Sequence, residues 1–455
     1  MFWHKAISQE IAAHFATLTF DALPPTTVDA TRRALLDALG VMLGASGLGE
    51  DALPYRTHAL TTRGPARLLG FAARSTPSLA ALANGALAHA LDFGDTFDAG
   101  PAHPNAALVP ALLALADADP AIRFADFLTA MAAGSDLACR LSLAPARAYE
   151  EGGWYPPPLV NLIAGAAACA KLIGLDANGI RDAMGLALVQ GSYPSEIKYD
   201  AASPMRGVRE GFVARAAVEA ALLARAGARA FAEPLEGKAG FFAIYGGGPP
   251  GETLLNGLGE RFLADLVSFK PWPACRGTHP YIEAALVLRT GLDLAAIERI
   301  EAETGPIQEM LIRPQPVKAA PARAIEAKFS IPYTVATALI DGEVTLASFL
   351  PARIADLPTR ALAESVFEVR NPEWTRAQAA SGSLAIILRD GTRRVHSVMQ
   401  AAGHPERPLA DSALIAKFVD CAAWAATSLP PESATVIASE ILVFPPDSPA
   451  SALPV

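Results

Sequence analysis

Between Ala88 and Ala106 the chain reads AHALDFGDTFDAGPAHPNA, a helical stretch running into a loop that carries Asp92, Asp95, Thr96, Asp98 and His103. Carboxylates and an imidazole held together can divide proton abstraction from proton donation near neutral pH once burial pushes their acidities apart. The same residues suit a plainer role, with Asp92 and Asp95 ending one helix and capping the next. His and Asp both ligate metals, but the spacing matches no common zinc or two-histidine iron pattern, so no metal site is expected.

Two further segments concentrate reactive side chains. Phe269–Tyr281, FKPWPACRGTHPY, places Lys270, Cys275, Arg276 and His279 within ten residues among three prolines. Prolines pre-position a loop at little entropic cost. A thiolate beside cationic groups would be a nucleophile, but nothing nearby supplies the rest of an acyl-transfer apparatus. Ser203–Ala217, SPMRGVREGFVARAA, brings Arg206, Arg209 and Arg215 to the start of a helix, with Lys198 just upstream. A guanidinium fork donates two parallel hydrogen bonds and so suits carboxylates, although solvated arginines on a helix face have the same pattern. The glycine-rich run Tyr245–Gly251 matches neither dinucleotide nor P-loop spacing and reads as a linker.

The elements that must hold these groups are mainly helical. Hydrophobic residues make up 52% of the 455 and aromatics only 7%, and a core weighted toward Ala, Leu and Val favours helices packed on helices. Apolar residues recur at helical spacing from Val28 to Met42, ahead of a break predicted in the Gly40–Gly49 region. Further helices are predicted at Ser78–Leu91, Leu108–Ala118, Phe124–Leu141, Leu159–Leu172, Ala177–Val189, Gly211–Ala226, Tyr333–Leu339 and Ser412–Leu429. After the Tyr245–Gly259 loop the texture changes, with strands predicted at Ile297–Thr304 and Val366–Arg370. Asp390-Gly391, between apolar segments at Ser383–Leu388 and Arg393–Met399, predicts a hairpin with a type I′ turn.

The length favours two domains over one. A formal net charge of -9 with scattered basic residues speaks against nucleic-acid binding. Cys139, Cys169, Cys275 and Cys421 stand far apart, which fits a reducing, cytoplasmic setting. The N-terminal stretch MFWHKAISQEIAAHF lacks the form of a signal peptide. The longest apolar run, Leu159–Leu175, contains Asn161 and Lys171 and reads as a buried helix rather than a membrane span.

Taken in order, AHALDFGDT with His103-Pro104, Leu235–Phe241, the Lys270–His279 loop, EAKFSIPY at Glu326–Tyr333 and Gly403–Leu409 resemble the MmgE/PrpD family. That family includes 2-methylcitrate dehydratases, cis-aconitate decarboxylases and an iminodisuccinate epimerase. The resemblance implies a large all-helical domain built from both chain ends (residues 1–266 and 401–455) with an inserted smaller α+β lid domain (267–400). It also implies a homodimer, an active site between the domains and a small carboxylate substrate, with no cofactor.

Carried over by position, Asp92, Thr96 and His103 match family site residues, and Lys270 matches the lysine that opens the lid loop. Other positions depart. The family's D-F-D-D-T is here Asp92-Phe93-Gly94-Asp95-Thr96, and its G-F-H-P run is Gly153-Trp154-Tyr155-Pro156. A lysine of the decarboxylase branch aligns with Arg206, and a lid histidine of that branch with Cys275. Arginine holds charge but does not shuttle protons near neutrality. These changes speak against a cis-aconitate decarboxylase or a typical 2-methylcitrate dehydratase.

The expected function is a dehydratase-type lyase on a di- or tricarboxylate, with an isomerase, an epimerase or a non-catalytic carboxylate binder as alternatives. His103 is the expected acid–base group, oriented by Asp92, and Tyr155 or Cys275 supplies the second proton transfer. Thr96, Arg206, Lys270, Arg276 and His279 bind substrate.

Overall fold

A computed structural model describes residues 6–200 and 203–455; the first five residues of the stretch read for a leader lie outside them. The chain is mainly α, 56% helical with small sheets. Its contacts divide it into one unit of residues 1–267 and 410–455 and a second of residues 268–409.

In the first unit the helices longer than one turn before the C-terminal return are α1 (Ile7–Thr17), α2 (Pro25–Leu48), α3 (Leu53–Ala59), α4 (Pro77–Ala90), α5 (Asn105–Ala118), α6 (Phe124–Leu143), α7 (Pro156–Leu172), α8 (Ala177–Leu188) and α9 (Glu210–Arg225). Prolines open α2, α4 and α7, where a missing N–H costs no helical hydrogen bond. In α7 every residue from Pro156 to Ala170 is buried, so this helix forms the centre of the bundle. Among the described residues no helix is long and apolar enough to cross a membrane.

The break predicted in the Gly40–Gly49 region does not occur, because α2 runs through to Leu48. Its glycines serve packing. A Cβ on Gly40 would lie 3.0 Å from Phe418, one on Gly44 3.2 Å from Cys421, and one on Gly47 2.1 Å from the carbonyl of Trp424. Three glycines on one face thus let the C-terminal helix Asp411–Ala423 approach α2 at backbone distance, and this contact outweighs the poor helix propensity of glycine. That helix stops six residues before the predicted Leu429, and a second C-terminal helix, Pro431–Val443, follows Pro430-Pro431.

Glycines also fix the crossing that matters most for the site. A Cβ on Gly85 of α4 would meet the Glu210 carbonyl at 2.8 Å, and one on Gly211 of α9 would meet the Leu82 carbonyl at 2.4 Å. One turn beyond Gly85 stands His89; two residues before Gly211 stands Arg209. Close packing of the two backbones therefore brings those side chains face to face.

The second unit is built on a four-stranded sheet of β1 (Ile297–Thr304), β2 (Val366–Arg370), β3 (Gly382–Leu388) and β4 (Arg393–Val398) in the order β2-β1-β3-β4. β1 pairs in parallel with β2 and antiparallel with β3, which pairs antiparallel with β4. Ile300, Val366, Leu384 and Ile386 join Ile282 of α10 (His279–Leu288) and Val335 of α11 (Ile331–Asp341) in one core. The β3–β4 hairpin forms, but not through a type I′ turn. Gly391 alone has positive φ, 83°, and the Gly391 N–H donates to the Leu388 carbonyl at 2.9 Å, so the loop holds three residues rather than two.

The second unit also extends past residue 400, to Leu409. Two bonds to Glu283 hold this segment, from the Ala402 N–H at 2.9 Å and from Arg407 at 2.6 Å. The Phe269 N–H donates to the Gly403 carbonyl at 3.1 Å.

Candidate active site

Asp92 lies just past the end of α4 with φ of 48°, the one non-glycine residue among those described with positive φ. A left-handed residue commonly stops a helix there, usually glycine, and aspartate tolerates the conformation at some cost. From Asp92 the chain runs to Phe97, whose N–H donates to the Ala102 carbonyl at 3.0 Å. This closure returns His103 beside Asp95, and α5 starts two residues later.

His103 Nδ1 lies 2.8 Å from the Asp95 carbonyl oxygen. A carbonyl only accepts, so Nδ1 carries the proton and the ring's lone pair is on Nε2. The Asp95 carboxylate accepts from the backbone N–H of Asn105 at 3.3 Å and from its side-chain amide at 2.7 Å. It therefore does cap the next helix, as the plainer reading of this segment has it, while its carbonyl sets the tautomer of His103. Burial pushes the Asp95 carboxyl up to about 7, and the neighbouring charge of Asp37 adds to the effect.

The His103 ring lies 4.8 Å from the ring of His89. His89 Nε2 is 3.3 Å from Asp92 Oδ1 and 3.2 Å from Arg209 Nη2. Arginine only donates, so His89 accepts from Arg209 when Nε2 carries the lone pair and donates to Asp92 when Nε2 carries a proton. Arg209 is fully buried, pairs through Nε with Glu210 at 3.0 Å, donates to the Arg206 carbonyl and lies 5.0 Å from the Tyr155 ring centre. Burial pushes the pKa of the Glu210 carboxyl above the usual carboxylate range, and the charge of Arg209 opposes the rise. Asn161 of α7 ties the assembly together, donating to the His103 carbonyl at 3.0 Å and to Glu210 at 3.2 Å.

The first unit thus gathers Asp92, Tyr155, Arg206 and His103 around a buried network of Arg209, which the sequence offered as a carboxylate binder, with His89, Glu210 and Asn161, to which it gave no role. Two signals for it were present: His89 follows the apolar stretch Ala86–Ala88 of α4, and Asn161 interrupts the apolar run of α7. Thr96 is buried in the loop between Asp95 and Phe97.

Within the second unit, Lys270 follows Phe269 at the head of the proline-rich loop. Arg276 donates to the carbonyls of Ala402 and Ala401 at 2.8 and 3.2 Å. His279 Nε2 lies 3.1 Å from the Ala274 carbonyl, and its ring lies 5.2 Å from Trp272. The Cys275 N–H donates to the Lys328 carbonyl at 3.0 Å, and Lys328 Nζ donates to the Pro273 carbonyl at 3.1 Å. Arg276, His279 and the unanticipated Lys328 therefore shape this loop through backbone contacts.

On this mainly helical fold an imidazole bonded to a backbone carbonyl thus stands beside buried acid and guanidinium groups. Residues 9–253 match the MmgE/PrpD N-terminal domain and residues 272–441 the MmgE/PrpD C-terminal domain. The chain belongs to the MmgE/PrpD family. It is similar to the cis-aconitate decarboxylase of Mus musculus, 28% identical over 91% of this chain and 86% of that protein. It is likewise similar to that of Homo sapiens, 27% identical over 91% and 87% of the two chains. The Aspergillus terreus enzyme of the same name is 24% identical over 91% and 89%.

Proposed function

We propose that this chain is a cofactor-independent, dehydratase-type lyase acting on a small di- or tricarboxylate. The observation that carries the reading is the His103 bond to the Asp95 carbonyl, which leaves the neutral ring's lone pair on Nε2, with the ring 4.8 Å from that of His89. In the proposed reaction His103 takes the proton α to a carboxylate, the carbon–oxygen bond to a β-hydroxyl breaks, and the departing oxygen receives a proton and leaves as water. Arg206, Thr96 and Lys270 hold the substrate carboxylates and offset the negative charge that builds as the α-proton leaves. Arg276 and His279 support the loop that presents Lys270. Tyr155 or Cys275 gives the second proton.

Membership of a family with carboxylate-acting relatives supports this substrate class. The Arg206 position favours loss of water over loss of carbon dioxide, because arginine does not reproduce the proton-exchanging lysine of the decarboxylase branch. The proposed setting is a cytoplasmic homodimer.

Proton NMR of the protein with citrate-, aconitate- and aspartate-like acids in deuterium oxide tests the proposal. Formation of an unsaturated acid with loss of water is the expected result. Solvent exchange at the α-carbon without loss of water would replace it with isomerisation or epimerisation, and release of carbon dioxide with decarboxylation.

A further inference from the structure

We infer that Lys417, on the C-terminal helix, is a positioning residue for the His103 loop. The inference deepens the proposed function and rests on it for the role of His103. Lys417 Nζ lies 2.6 Å from Asp37 Oδ1 on α2, in a pair whose side chains are 7% and 1% exposed. The same ammonium donates to the Phe93 carbonyl at 2.6 Å and stands 3.8 Å from the centre of the Phe93 ring. One cation therefore grips one residue by its backbone and its ring while a buried carboxylate seats it.

Phe93 directly follows the left-handed Asp92 and stands two residues before Asp95, whose carbonyl fixes the tautomer of His103. A residue in a sparsely populated conformation persists only where its surroundings over-determine it. The Lys417 bond to the next carbonyl supplies such a restraint at the point where the loop leaves α4. Its effect on His103 passes through the backbone of residues 93–95. The α2 glycines that admit the C-terminal helix at backbone distance also set the reach of this side chain.

Lys417→Met keeps the aliphatic stem and removes the cation. In the full-length chain, nitrogen-15 spectra of the histidine rings report the His103 tautomer directly and need no substrate, so they decide the inference even if the lyase reading fails. The expected result is loss or displacement of the His103 Nδ1–H signal. On an active substrate, kcat should fall at least about tenfold with KM changed less than about threefold, the pattern of a lost transition-state geometry. Should the methionine variant fail to fold, Asp37→Asn removes the anionic seat at nearly constant size and should displace the same signal. A His103 signal identical to that of the unaltered protein, in whichever variant folds, overturns the inference.

Discussion

Replacing Asp95 by asparagine should make the protein more stable at alkaline pH and leave it unchanged in acid. The carboxyl is fully buried and pushed up from 3.8 to about 7 by that burial and by Asp37. In the unfolded chain it ionises near its ordinary value. Between about pH 4 and pH 7 the native state therefore holds a proton that the unfolded state has lost, and stability falls as pH rises through this window. Above about pH 7 both states are ionised and the penalty is constant. The distance from 3.8 to about 7, at roughly 1.4 kcal/mol per tenfold change in acidity, sets an upper bound of about 4 kcal/mol. Asparagine keeps an oxygen for the two bonds from Asn105 and turns an amide toward Asp37, so most of that sum should appear as added stability. Urea unfolding of both proteins from pH 5 to pH 8.5 measures it, with the two curves converging at the acid end and parting as pH rises. Parallel curves, or a variant that loses ground as pH rises, would refute the account of Asp95 as a carboxyl buried at a cost.

His103→Ala should lower kcat by about 10²–10⁴-fold with the fold intact by circular dichroism; near-normal turnover would remove His103 from the chemistry. Arg206→Lys should raise KM about tenfold, the worth of one charge-assisted hydrogen bond, with kcat little changed. If steady-state kinetics instead show kcat falling at constant KM, Arg206 acts in the transition state. Gly47→Ala places a methyl 2.1 Å from the Trp424 carbonyl and should cost about 1–3 kcal/mol, read as a lower thermal midpoint.

Periodicity located most elements because each kind buries one face. β1 and β2 fall on their predicted spans, Ile297–Thr304 and Val366–Arg370, and α4, α6 and α8 lie within two residues of theirs. The misreadings have a common physical cause. Gly40, Gly44 and Gly47 read as a break because glycine disfavours an isolated helix, whereas here a neighbouring backbone requires glycine. Asp390-Gly391 likewise gave the hairpin but not its turn, since one residue more or fewer in the loop leaves the flanking apolar pattern intact. The end of the second unit was missed because Glu283 holds residues 402 and 407 through bonds that no local pattern announces.

The site was legible where reactive residues crowd a loop and illegible where they meet across helices. His103 and Asp95 are eight residues apart, and the sequence shows their neighbourhood directly. His89 and Arg209 are 120 apart, and only the facing glycines of α4 and α9 bring them together. This second kind of contact changes how the substitutions are weighed. Read alone, an arginine at 206 or 209 adds positive charge where a substrate carboxylate could bind. In the folded chain Arg209 is already engaged by Glu210 and His89, so its charge is spent on ordering the acid–base groups. The proposed recognition of substrate rests with Arg206. The proposed chemistry falls to an imidazole whose tautomer a backbone carbonyl sets. Exchanging the two roles by mutation should fail for a physical reason: a guanidinium has no lone pair to take a proton near neutral pH, and an imidazole has no second parallel donor to grip a carboxylate.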